Sequence, residues 1–186
     1  MVTVTELWLP IVLSAVAVFA VSSVIHMLLP YHRSECKKLP NEDKLLEAMR
    51  NEGVAPAFYV FPYAPKPKDM GTPEMVAKFK KGPVGLMTVI PSGPMAMGKY
   101  LTMWFLFSVL IGVFVAYLAG RTLQAGTPYL AVFRVAGTVA FLGYGVGALT
   151  DSIWKGQRWS ATLKHVFDGL VYALLTAGFF GWLWPR

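Results

Sequence analysis

A single cysteine in 186 residues, Cys36, excludes an internal disulfide and any CxxC pair. HExxH, CxxCH and glycine-rich phosphate loops are missing, as are a nucleophile–base pair and clustered catalytic carboxylates. There is no internal repeat, no low-complexity run and no inverted-repeat pattern of the transporter kind. Charge is scarce as well: Asp, Glu, Lys and Arg make up 15% of the chain, against about a quarter in soluble domains. The first Lys or Arg is Arg33. Nothing here specifies an enzyme, and the reading leans away from one.

What the chain has instead is apolar length. It is 55% apolar with a mean hydropathy of +0.51. Four stretches, 7–29, 100–119, 129–149 and 166–183, are each close to the roughly 20 residues that cross a hydrocarbon core. In lipid every backbone N–H and C=O must be satisfied within the segment, so the stretches are predicted to be helices. The expected fold is an all-α integral membrane protein. Four transmembrane helices form a bundle, with a small cytoplasmic α/β-hairpin segment at 30–99 between the first two.

The net charge of +7 follows the threading and not a nucleic-acid partner. Of 17 Lys and Arg, 11 lie between the first two spans, and Lys155, Arg158 and Lys164 lie between the last two. Only Arg121 and Arg186 fall on the other side, and Arg134 lies within the third span. By the positive-inside rule the basic loops are cytoplasmic and both termini are outside; a bacterial-type inner (plasma) membrane is the expected location. Val18-Phe19-Ala20 loosely fits a signal-peptide cleavage site. The preceding region holds Glu6 and no Lys or Arg, so the first span reads as a retained helix. Aromatic residues agree: Trp8, Tyr117, Tyr129, Trp182 and Trp184 are expected in an outer belt, with Tyr31, Tyr100, Trp104, Trp154 and Trp159 in an inner one. The helix exit IHMLLPYHRS and the turn KGPVG resemble those of bacterial inner-membrane proteins without an assigned activity, so the likeness implies a location only.

Within the loop segment, Asn41-Glu42-Asp43, late bases to Arg50 and Gly53 predict one short helix. Thr72-Pro73-Glu74 and Gly82 predict another. Residues 58–61 and 86–90 read as short strands between proline-rich turns. The lysines are expected to reach anionic lipid headgroups.

Gly169, Ala173, Ala177 and Gly181 recur every four residues in the fourth span, a stripe that lets another helix approach closely. Ala136, Ala140, Gly143 and Gly147 offer a counterpart in the third. The expectation is mutual packing, or contact with another subunit. The alternative is a polar cavity opening to the cytoplasm beside His165, Asp168, Tyr172 and Thr176. Ser14, Ser22, Ser23 and Ser108 are expected to bond back to their own helices.

Arg134 and Asp168 are the charges within apolar spans. Their depths differ by roughly 15 Å along the membrane normal at 1.5 Å per residue, so no mutual ion pair is expected. Arg134 is placed to snorkel outward towards Glu6 or lipid phosphate, and Asp168 to meet Lys164, Arg33, Lys99 or His32. His26, His32 and His165 share one level of the bundle, with Cys36 and Asp151 near it in this threading. Imidazoles on different helices can hold haem or a divalent metal, yet the spacing is not diagnostic. Met95 and Met97 suit apolar contact better than copper. The expectation is therefore no metal, no cofactor and no convergence of His26, His165 and Asp168. On this basis the chain reads as a non-enzymatic accessory or interaction subunit, self-associating or joined to a larger membrane complex. The alternatives are a small-molecule binder or carrier using His26, His165, Asp168 and Tyr172, and a haem- or quinone-binding redox subunit.

Overall fold

The structure, a computed structural model, describes residues 1–186. In chain order its elements are α1 (Trp8–Met27), α2 (Glu42–Asn51), β1 (Ala57–Phe61), α3 (Pro73–Lys81), β2 (Gly85–Val89), α4 (Met97–Thr122), α5 (Tyr129–Tyr144), α6 (Leu149–Trp154) and α7 (Trp159–Trp182). They form two compact units, Met1–Cys36 with Ala96–Arg186, and Lys37–Met95.

The first unit holds four helices long and apolar enough to span a membrane: α1, α4, the run Tyr129–Trp154, and α7. Helix α1 packs against α4 and α7, and α5 packs against the same two. The core repeats at helical spacing: Ile11, Ala15 and Val18 on α1; Val115, Ala116 and Ala119 on α4; Val132, Ala136 and Ala140 on α5; Ala173, Ala177 and Phe180 on α7. The outward faces are equally apolar, with Leu106, Leu110 and Phe114 exposed on α4. Helices apolar all round are the pattern of a span in an apolar solvent, for which close packing and not water exclusion would drive association.

That packing is tightest between α5 and α7. A Cβ built on Gly169 would lie 2.5 Å from the Gly145 Cα, and one on Gly137 would lie 3.2 Å from the Ala177 Cβ. One on Gly181 would lie 2.7 Å from the Tyr129 ring. The α5 counterpart is only partly as expected. Ala136 and Ala140 are fully buried, but Gly143 is set against Ile111 of α4 and Gly147 faces open space. The reason is a break in helical phase. The third span is not one helix over 129–149: α5 ends at Tyr144, and a 3-10 turn at Val146–Ala148 leads into α6. Two glycines within three residues weaken the helix there, and Gly145 becomes the contact point with Gly169.

Two further differences concern the termini of the bundle. Helix α7 begins at Trp159, ahead of the expected 166. Trp184, expected in an aromatic belt, is 7% exposed and donates its indole N–H to the Gln124 carbonyl at 2.9 Å. The chain before α1 is also folded in. The Val2 amide donates to the Gly120 carbonyl at 3.2 Å, and a methyl on Gly120 would lie 2.3 Å from the Val2 oxygen.

In the second unit α2 starts from Asn41, whose φ of 49° is a left-handed conformation that asparagine tolerates, with Glu42 and Asp43 in its first turn. Thr72 caps α3 through Met75 N–H, and Gly82 closes it with φ 63°. Strands β1 and β2 pair antiparallel, Phe58 opposite Thr88 and Val60 opposite Leu86. They are not a tight hairpin, because residues 62–84 between them carry a 3-10 turn and α3.

Candidate functional site: a histidine–aspartate cluster

Pro30 organises the site. The α1 ladder finishes with Leu28 and Leu29 both bonding the Val24 carbonyl, and Pro30, lacking an N–H, opens a 3-10 turn over Pro30–Ser34. The turn folds back on α1 so that the His32 ring stacks on His26, with centroids 4.4 Å apart and planes 10° from parallel. Its other neighbour is His165 near the start of α7, 5.4 Å away. Asp168 follows one turn later on α7 and is 2% exposed. One ligand atom from each of His26, His32, His165 and Asp168 lies within 4.8 Å of all the others. The expectation that His26, His165 and Asp168 do not converge is wrong, because α1 and α7 are direct neighbours.

The ring nitrogens are sorted by their partners. His26 Nδ1 faces the Ser22 carbonyl at 3.0 Å and must donate to it, so in the neutral ring Nε2 carries the lone pair. His32 Nδ1 lies 2.6 Å from Glu35 Oε1, and His165 Nε2 lies 3.2 Å from Glu35 Oε2. One carboxylate therefore anchors the far side of the His32 ring and turns its other oxygen to His165, without an aligned hydrogen bond. Lys164 lies 4.0 Å from Glu35 and donates to the Tyr31 carbonyl and, at 2.9 Å, to Ser34 Oγ, fixing the turn against α7.

Asp168 is not satisfied to the same degree. The Tyr31 hydroxyl donates to Oδ1. Burial first, then this hydrogen bond and the neighbouring carboxylate charge, raise the Tyr31 phenol above its ordinary range. His32 Nε2 lies 2.9 Å from Asp168 Oδ2, but the pair is not aligned as a hydrogen bond, and both atoms are buried without another partner. The Tyr172 hydroxyl, on a residue 4% exposed, is likewise without a partner. Its ring is held edge-on by Trp104 and Tyr144, and Trp104 donates to Ser22 Oγ at 2.8 Å.

Arg134, Glu6 and Asp151 stay apart from this cluster. Arg134 is exposed and in no ion pair, and Glu6 does not reach towards it, since its carboxylate accepts from the Thr3 amide and hydroxyl at 2.7 and 2.6 Å. Those bonds, the side-chain one foremost, lower the Glu6 pKa. Asp151 is paired with Lys155 at 2.7 Å. Cys36 is exposed. Ser14, Ser22, Ser23 and Ser108 all donate to carbonyls of their own helices.

Two parts of the site escaped the sequence reading: Glu35, and the role of His32 as its centre. The only available signal was the i, i+3 spacing of His32 and Glu35 immediately after a proline. His26 and His32 are stacked face to face, so these two rings do not bracket one iron as a pair of axial ligands. Comparison with known families, curated proteins and solved structures returns no match, so the chemistry rests on these residues alone.

Proposed function

We propose that the chain is a multi-pass inner (plasma) membrane protein, both termini outside, that binds a cation at the cytoplasmic end of its four-helix bundle. Its four long apolar helices and the bias of Lys and Arg to the loops at 30–99 and 150–165 support that placement. One observation carries the cation reading: a carboxylate oxygen on Asp168, 2% exposed, has no aligned donor and faces imidazole nitrogen. A buried acceptor oxygen without an aligned donor costs about 1–3 kcal/mol. Ring nitrogens whose protons point away towards Ser22 and Glu35 offer lone pairs, which suit a cation and repel an anion. His26 is exposed and gives the ion a way in.

One support of the accessory-subunit reading is weaker, since the small-residue stripe of α7 packs against Gly145, Gly137 and Tyr129 of the same chain. The test is thermal stability of the detergent-solubilised chain with Na⁺, Mg²⁺, Ca²⁺, spermidine, Co²⁺ or Zn²⁺, beside Asp168→Asn. At least one cation should raise the Tm of the parent and not that of the variant. If none does, the cation reading fails.

A further inference from the structure

Resting on the cation reading of this cluster, we infer that the ion is a divalent transition metal of the zinc class, held by His26, His32, His165 and Asp168. Glu35 is the positioning residue behind His32, with its other oxygen facing His165. Three independent features point to that class of ion.

The first is the donor set. Three imidazole nitrogens and one carboxylate oxygen are borderline ligands. Mg²⁺ and Ca²⁺ prefer all-oxygen shells, and Cu⁺ prefers sulfur. A proton or an organic ammonium needs one or two acceptors and has no use for three rings gathered around a carboxylate.

The second is spacing. Bonds of about 2.0–2.1 Å in a tetrahedron put ligand atoms about 3.3 Å apart. The four atoms already lie within 4.8 Å of one another, so closing on an ion takes about 1.5 Å of side-chain rotation and no movement of helices.

The third is the ring anchoring. A metal-bound histidine characteristically donates its other N–H to a carboxylate or a backbone carbonyl, which fixes the tautomer and aims the lone pair. His26 has the Ser22 carbonyl for this, and His32 has Glu35. His165 turns its Nε2 to the other oxygen of Glu35 at 3.2 Å. His26 and His32 are therefore held from behind by hydrogen bonds, and Lys164 offsets the charge of Glu35 and leaves that of Asp168 for the ion.

The experiment uses the tag-free, full-length chain in detergent, stripped with chelator and titrated with Co²⁺, followed by displacement with Zn²⁺. Intense visible d–d bands that saturate at one Co²⁺ per chain and vanish on adding Zn²⁺ are expected. His26→Gln changes an exposed ring and leaves the fold intact. It should weaken Co²⁺ binding at least tenfold and reduce band intensity. Glu35→Gln should weaken binding by about 10–100-fold while keeping one ion per chain and the same band shape, which a general loss of structure would not do. Glu74→Gln, in the other unit, should change nothing. Absence of a saturable band, or equal affinity in parent, His26→Gln and Asp168→Asn, overturns the assignment. Stabilisation by Ca²⁺, Mg²⁺ or spermidine without Co²⁺ binding overturns the metal class and leaves the cation reading standing. Stabilisation by no cation overturns both.

Discussion

Gly169 of α7 lies directly against Gly145, so that a methyl group on Gly169 would sit 2.5 Å from the Gly145 Cα and 2.7 Å from its amide nitrogen. Both obstacles are backbone and cannot rotate away. Gly169→Ala should therefore cost about 1–3 kcal/mol, seen as a lower Tm in detergent. Gly147→Ala, where the added methyl meets nothing, should stay within about 0.5 kcal/mol of the parent. Equal Tm values for the two variants would show that α5 and α7 are not in contact at this point.

The buried alanines of the same stripe give a second test. Ala173 and Ala177 are 1% and 0% exposed on the face towards the bundle interior. Leucine at either position overpacks the core and should destabilise by roughly 1–3 kcal/mol. Parent-like melting of both variants would place the stripe towards lipid.

Lys164 fastens the turn after α1 to α7 through the Tyr31 carbonyl and Ser34 Oγ. Lys164→Met removes those charged hydrogen bonds while keeping an apolar stem. The expected loss is roughly 1.5–3 kcal/mol by thermal unfolding. An unchanged Tm would mean that the turn stands without α7.

Tyr31 predicts an alkaline limit to stability. Its folded pKa is raised above the ordinary value of 10.0 by burial and then by the Asp168 hydrogen bond and charge. A raised folded pKa means that the contribution is complete below pH 10 and is lost as pH rises, because the unfolded phenol ionises while the folded one resists. The Tm should fall above pH 10, and fall less steeply in Tyr31→Phe. Identical slopes would contradict the shift.

Threading is tested at Cys36, which is exposed at the end of the first unit's opening segment. In the proposed orientation a membrane-impermeant maleimide labels it only after the inner membrane is opened. Labelling in cells whose outer membrane alone is permeabilised would reverse the orientation.

The four long helices were legible because apolar length is a property of continuous sequence, and α2, α3 and the two strands because Asn41, Gly53, Thr72, Gly82 and the prolines punctuate them. The α7 stripe was legible too, since a spacing of four survives along an unbroken helix. Its partner was misassigned to Gly143 and Gly147 because the helix loses phase at Gly145, and a phase break depends on what packs against it. For the site, counting along the spans put His26, His32, His165 and Asp168 at one depth. Depth says nothing about azimuth. Their convergence depends on α1 neighbouring α7 and on the Pro30 turn carrying His32 and Glu35 back over the helix end, two tertiary facts without local signature.

The central claim is most directly tested by zinc-edge X-ray absorption on the stripped chain reloaded with one Zn²⁺. The account predicts four nitrogen or oxygen neighbours at about 2.0–2.1 Å, with the outer-shell scattering of three imidazole rings. A shell of oxygen alone, without imidazole scattering, would contradict it.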